Sequence, residues 1–243
     1  MLKLNPKLQN SGVVECIPQK GVCPVGCADC FYNGGRSYLE PLDENTPHIP
    51  TMEQARGRVV RFNDGNDSNV ERSFVEHIAD RYHDRFFNTS IPHELGLFSA
   101  PVVLTLNPHK MTDVDFHKLP IIPKNLMMVR IRTNLWNLES VVIPAINYYT
   151  SKNVMCVLTL MAYYETPIPE QYKINYEWKQ RTANSYWCLK SDKIKEIMKM
   201  FEDNPYVDSC TRKGQYSCRF CGVCLREYYA TKERMKINGK TQV

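Results

Sequence analysis

The chain has 243 residues, enough for one large core or two modest ones. Its 43% apolar and 23% charged residues exclude a disordered chain. The net charge of +5 is spread along the sequence; it permits an anionic substrate and gives no support to a nucleic-acid partner.

The first ten residues, MLKLNPKLQN, carry no apolar run behind their lysines and do not form a secretory signal. Residues 13–17 (VVECI) read as a strand that runs into a cysteine-bearing loop. A polar, proline-rich segment covers residues 40–50, and residues 52–56 hold only a short helix. Residues 58–62 (RVVRF) are a second strand, ending in the polar turn 63–68. Ser68 or Asn69 is placed to cap a helix that brings Val70, Phe74, Val75 and Ile78 onto one face. Residues 86–89 form a weak third strand, and residues 101–107 (PVVLTLN) and 126–133 (LMMVRIRT) stronger ones. A helix over 138–151 leads to the nearly unbroken apolar run 154–162, the pattern of a parallel strand covered on both faces. The helix 192–202 turns Ile194, Ile197, Met198 and Phe201 inward. The longest nearly apolar stretch, residues 154–164, falls far short of the roughly 20 residues needed to cross a bilayer. A cytoplasmic protein without a membrane anchor is expected.

Six strands with intervening helices predict an α/β fold, a partial (βα)6 barrel-like parallel sheet. Residues 1–189 would form this core, and residues 190–243 a C-terminal helix and cysteine-rich extension. Ligands of such sheets gather at the carboxyl ends of the strands. Asn63, Asp64, Asn107, Thr133 and Asn134 are therefore pocket candidates, although residues of these types also simply form turns.

Ten cysteines are present, and six fall in two tight groups, Cys23/Cys27/Cys30 and Cys218/Cys221/Cys224. Clustered thiols in a chain without export signals point to metal binding. Three thiolates spaced C-x3-C-x2-C in one loop can reach three irons of a cubane cluster and leave the fourth open. A structural zinc site would want four protein ligands.

This loop, directly after a first strand in a chain of repeating strand–helix units, resembles the radical S-adenosylmethionine (radical SAM) superfamily. The resemblance implies a [4Fe–4S] cluster on Cys23, Cys27 and Cys30 whose open iron is chelated by S-adenosylmethionine. Reductive cleavage of that cofactor would give methionine and a 5′-deoxyadenosyl radical that abstracts hydrogen from substrate, the protein supplying orientation and exclusion of water. Most members carry an aromatic residue just before the third cysteine; here Asp29 stands there, and Phe31 and Tyr32 follow it, placed to pack over the cluster or the adenine. By position, the turn holding Asn63, Asp64 and Gly65 would accept from the cofactor's ammonium, and Asn107 would bond ribose hydroxyls. Arg132 and Asn134 would meet the methionyl carboxylate or the ribose, an arginine offering two-pronged carboxylate recognition.

The second group has C-x2-C-x2-C spacing with Cys210 eight residues before it. Four thiolates from Cys210, Cys218, Cys221 and Cys224 would close an auxiliary [4Fe–4S] cluster, the favoured reading, with a tetrahedral zinc site as the alternative. Cys188 is the alternative fourth ligand. Arg212, Lys213, Arg219 and Arg226 surround the group in sequence and would offset its negative charge. Cys16 and Cys156 lie in strand-like runs as small core hydrophobes. The six histidines show no ligand spacing and read as surface or loop residues. Tyr163, Tyr164, Tyr172, Tyr176, Trp178, Tyr186 and Trp187 read as the packing of a loop cap, or as the lining of a substrate channel. No nucleoside triphosphate or dinucleotide loop is present.

The expected function is a radical SAM enzyme acting on a small-molecule or nucleotide substrate, with an intracellular reductant such as a flavodoxin or ferredoxin. The alternative is a non-catalytic zinc-binding module, with nucleic acid as one conceivable partner.

Overall fold

Short runs rich in valine, leucine and phenylalanine extend into strands because branched and aromatic side chains fit a pleated, covered surface. They are β1 (Val13–Cys16), β2 (Val59–Phe62), β3 (Arg85–Thr89), β4 (Val102–Leu106), β5 (Leu126–Thr133) and β6 (Cys156–Leu160). Further on come β7 (Tyr176–Lys179), β8 (Tyr186–Leu189) and β9 (Val207–Ser209). The structure is a computed structural model and describes residues 5–27, 30, 47–107, 118–164, 167–180, 185–210 and 218–239.

Seven strands form one sheet in the order β1-β2-β3-β4-β5-β6-β9, with every neighbouring pair parallel. Spatial order follows chain order, so each crossover steps one place in the same direction. The sheet thus has one strand more than the six expected. The extra strand, β9, is only three residues long (VDS) and offers no apolar run to mark it. A second departure is the antiparallel hairpin β7–β8, inserted between β6 and β9. It places Trp178 opposite Trp187, with ring centroids 5.4 Å apart, and accounts for the aromatic-rich segment.

The helices are α1 (Met52–Ala55), α2 (Arg72–Ala79), α3 (Ile143–Thr150), α4 (Glu170–Lys173), α5 (Ser191–Lys199), α6 (Cys218–Cys221) and α7 (Val223–Gly239). Thr51 and Gln54 close a reciprocal capping box on α1. The cap expected for α2 at Ser68 or Asn69 does not form. The chain instead enters α2 through Glu71 at φ 53°, with no side-chain cap. The later start leaves Val70 outside the helix and rotates Phe74 outward to 43% exposure, while Val75, Ile78 and Ala79 face the core. The helix expected over 138–151 opens with a π-helical turn, Leu138–Val142, before α3. Val142 N–H reaches back five residues to Asn137 O at 2.9 Å, and Pro144 has no N–H to hold a tighter register across the junction.

Alternate residues of each strand enter two different cores. Val60 and Phe62 of β2 join Val75 and Ile78 of α2, Ala145 and Ile146 of α3, and Ile194 and Ile197 of α5. Val13, Val59, Phe86, Val103, Met128 and Val157, from the opposite face, pack with Leu8, Val223 and Tyr228. The sheet is therefore covered on both sides, which is why its strands read as unbroken apolar runs. Helix α7 is fastened to the amino ends of the strands. Tyr228 Oη and Lys232 Nζ donate to Asp84 Oδ1 at 2.9 and 2.7 Å, and Arg234 Nη2 donates to Leu126 O at 2.8 Å. Residues on both sides of position 189 thus contribute to the same sheet and to both cores. Among the described residues no helix is long and apolar enough to cross a membrane.

Candidate functional site

Strand β1 ends at Cys16, whose side chain is fully buried; burial pushes its thiol far above the ordinary range. Cys156, on β6, is equally buried and its thiol is pushed up to about 12 by burial. Both are core residues, as their strand positions imply. Beyond Cys16, Ile17 exchanges two backbone hydrogen bonds of 2.8 Å with His48. His48 is itself buried, with Nδ1 3.9 Å from Glu15 Oε1. His48 thus lies outside the named strands, as a loop residue would, but it is buried and faces a buried carboxylate.

Gln19 then anchors the start of the cysteine loop. Its Nε2 donates to the carbonyls of Asp67 and Val70 at 2.8 and 2.9 Å. Asp67 lies buried behind it and accepts from Asn69 N, Thr89 Oγ1, Ser90 N and Ser90 Oγ. Cys23, Cys27 and Cys30 are all half-buried. Burial pushes the Cys23 thiol up to about 11, and Asp67, Cys27 and Cys30 add to the rise from electrostatic range. The loop thus holds its three cysteines beyond the carboxyl end of β1, with Cys27, Cys30 and Asp67 in electrostatic range of Cys23. Asp67 belongs to the polar turn marked in the sequence, whereas Gln19 did not stand out, because an isolated polar residue in a loop carries no period.

The positions assigned to cofactor binding sort differently. Tyr32 lies outside the described residues, as do Asp29 and Phe31. Asn63 is buried at φ 57°, and its amide donates to Gln19 Oε1 at 2.6 Å and Gly65 O at 3.2 Å. Its own oxygen accepts from Ser68 Oγ at 2.9 Å. Asp64 is ion-paired with Arg61. The turn therefore spends much of its polarity on its own shape. Asn107 and Arg132, both buried, stand at the carboxyl ends of β4 and β5. Asn134 is buried beside them, and its Oδ1 accepts from Asn137 N at 2.9 Å, where the π-helical turn begins.

Of the C-terminal cysteines, Cys210 directly follows β9, Cys218 and Cys221 lie on α6, and Cys224 on α7. Gly222, at φ 67°, separates these helices, a backbone conformation that suits glycine. Cys210, Cys218, Cys221 and Cys224 all pack against the core made by Val59, Phe86, Val103, Met128 and Val157. Cys210 Sγ lies 3.6 Å from Thr159 Oγ1. A hydrogen bond with Cys221, then burial, push the Cys210 thiol well up, and the same bond pulls Cys221 down. Cys224 is raised by burial. Cys188, the alternative ligand, sits on β8 with its sulfur 3.9 Å from Glu177 Oε1.

The expected cationic surround is different. Arg212 and Lys213 lie outside the described residues. Arg219 donates to Gln9 Oε1 at 2.6 Å, and Arg226 to Glu227 Oε1 at 2.7 Å and Asp208 Oδ2 at 3.1 Å. The cations that act on the thiols are Arg61 on Cys218 and Cys224, and Arg130 on Cys210 and Cys224. Their signal in the sequence is alternation: each stands two residues after a core residue of its strand, Val59 and Met128.

Among the described residues no group of three or more histidine, cysteine, aspartate or glutamate side chains is drawn together as a site for a metal ion. A tetrahedral zinc would need its sulfurs about 4 Å apart, given zinc–sulfur bonds of about 2.3 Å. Thiolates bound to separate irons of one cube stand wider. The donor type fits an iron–sulfur group at both places: soft sulfur ligands, three in one short loop and four on one apolar patch. No disulfide joins any of the ten cysteines. Compared with known proteins, the chain matches no family model, no curated relative and no solved structure.

Proposed function

We propose that the chain is an iron–sulfur enzyme of the radical SAM kind, built on a partial-barrel arc of parallel strands. One observation carries the reading: the Cys23/Cys27/Cys30 loop leaves the carboxyl end of β1 and is tied by Gln19 to the turn after β2. That is the edge of a sequentially ordered parallel sheet where ligands collect.

A cluster bound by the three thiolates would supply reductive cleavage of S-adenosylmethionine to a 5′-deoxyadenosyl radical. The chain's own residues would orient the cofactor and keep water out. Arg132, buried at the end of β5, has the forked geometry to hold a carboxylate. Asn107, one strand away, offers amide hydrogen bonds to ribose hydroxyls. Apolar walls from β4 and β5 lower the local dielectric and strengthen both contacts. The substrate is a small molecule or nucleotide, the electron donor a flavodoxin- or ferredoxin-type protein, and the compartment a reducing one such as the cytoplasm. A second thiolate-bound metal, an auxiliary [4Fe–4S] cluster or zinc, belongs to Cys210, Cys218, Cys221 and Cys224.

Anaerobic purification followed by iron and sulfide analysis tests the reading, together with an assay for 5′-deoxyadenosine from S-adenosylmethionine and dithionite. The wild-type chain should be brown and form 5′-deoxyadenosine. Replacing Cys23, Cys27 and Cys30 together with alanine should abolish that product. Product at the wild-type rate in the triple variant, or a colourless protein containing zinc alone, refutes the assignment.

A further inference from the structure

The face of the sheet under α7 is graded. Toward the amino ends of the strands it is apolar, with Val59, Phe86, Val103, Met128 and Val157. Two residues further along the same strands, on the same face, stand Arg61, Asn88, Thr105, Arg130 and Thr159. Two guanidinium groups therefore rise from the middle of a covered sheet.

Neither is fully answered by its neighbours. Arg61 is only 4% exposed; it pairs with Asp64, but its Nε is buried without a hydrogen-bond partner. Arg130 donates to the neutral Asn88 Oδ1 at 3.2 Å, and among the described residues it has no carboxylate partner. An unanswered N–H on a buried guanidinium is costly, and so is a cation drawn even half out of water without an anion, the position of Arg130. The two stand on one face of the sheet with β3 and β4 between them, and that face calls for negative charge above it. What lies there is the cysteine set. Cys210 touches Thr159, and Cys218, Cys221 and Cys224 rest on the adjoining apolar patch.

We propose that Arg61 and Arg130 are counter-charges built into β2 and β5 for an anionic tetrathiolate metal centre on Cys210, Cys218, Cys221 and Cys224. The proposal rests on reading those four cysteines as metal ligands. The shared chemistry is a dianionic centre, since four thiolates leave a net negative charge around either zinc or a [4Fe–4S] core. The arginines do not ligate. They lower the electrostatic cost of assembling four thiolates on one apolar patch, and around a redox-active core they favour the more negative, reduced form. The location also places this centre against the sheet that carries the first cysteine loop, so it is part of the core and not an appendage.

The experiment uses the full chain with Cys23, Cys27 and Cys30 all changed to alanine, which leaves only the C-terminal metal to be read. Iron, sulfide and zinc are measured after anaerobic purification, loss of metal to a chelator is timed, and the reduced protein is titrated by electron paramagnetic resonance. Iron with sulfide identifies a cluster; zinc without sulfide identifies the mononuclear centre. Adding Arg130→Gln or Arg61→Gln should speed metal loss at least about tenfold, with Arg130→Lys close to the parent because the charge is kept. If iron is present, Arg130→Gln should also shift the midpoint potential to a more negative value. Far-ultraviolet circular dichroism and thermal unfolding confirm that each variant is folded. If Cys218→Ala, Cys221→Ala and Cys224→Ala leave the metal in place, the cysteine reading itself fails. If those cysteine variants lose the metal while folded Arg130→Gln and Arg61→Gln both retain it with parent kinetics, the arginine proposal alone is overturned.

Discussion

Asn63 donates from Nδ2 to Gln19 Oε1 across 2.6 Å, joining the residue just after β2 to the residue four places ahead of Cys23. With the two carbonyls that Gln19 also serves, this makes one side chain the joint between the cysteine loop and the turn after β2. All these groups are buried or nearly so, which raises the penalty for losing any one of them.

Gln19→Leu should therefore weaken both fold and site. It strands the Asn63 amide and two backbone carbonyls, and a loss of about 2–4 kcal/mol is expected from urea unfolding. Iron retained by the N-terminal loop should fall in the same variant, measured in a background lacking Cys218, Cys221 and Cys224. Unchanged stability would show that water replaces the side chain without penalty.

Cys156→Ser distinguishes a core sulfur from a ligand. The thiol is fully buried on β6 with Val154 O 3.8 Å away. A hydroxyl there should destabilise the chain by about 1–3 kcal/mol, while metal content per folded chain stays that of wild type. Loss of metal from a folded Cys156→Ser variant would contradict its place in the core.

Asp84 should govern part of the acid response. Burial alone would raise its carboxyl, but hydrogen bonds from Lys232, Tyr228 and His83 outweigh that and hold it at about 2, below the ordinary 3.8. A carboxyl depressed on folding stabilises the native state above its ordinary range, and that share is lost as pH falls from about 4 to about 2. Asp84→Asn should be less stable than wild type at pH 7, and the gap should close across this window. Because Asp84 is partly exposed, high salt should also narrow the gap at pH 7. A gap that does not change with pH would place the loss in packing of α7.

Gly12 tests the seat of α7 on β1. It lies at φ 72°, and an added Cβ would meet Leu225 Cδ1 at 2.8 Å. Leucine can rotate away, so the left-handed backbone dominates, and Gly12→Ala should cost about 1–2 kcal/mol by thermal or urea unfolding. A variant as stable as wild type would mean that the backbone there relaxes.

The strands that the sequence reveals best are those covered on both faces. Residues 126–133 match β5 from end to end, because eight residues of apolar and β-branched character leave no other covered structure at that length. Strand β9 and the cap of α2 were not legible for the opposite reason. Each depends on a partner remote in the chain: β9 on Leu158 of β6, whose carbonyl takes Cys210 N–H at 3.0 Å, and the turn before α2 on Gln19 and Asn88.

The candidate site divides along the same line. Spacing alone grouped Cys23 with Cys27 and Cys30, and Cys218 with Cys221 and Cys224, because neighbouring thiols on one loop or turn cannot lie far apart. Which charges face them was a tertiary matter. Arg219 and Arg226 are close in sequence yet turn to Gln9, Asp208 and Glu227, while Arg61 and Arg130, far away along the chain, lie within electrostatic range of the thiols. The sequence determines the chemistry that each segment can offer. Only the folding of α7 against a sheet of consecutive strands decides which of those groups meet, since long-range proximity is set by the order of strands and the face each residue takes.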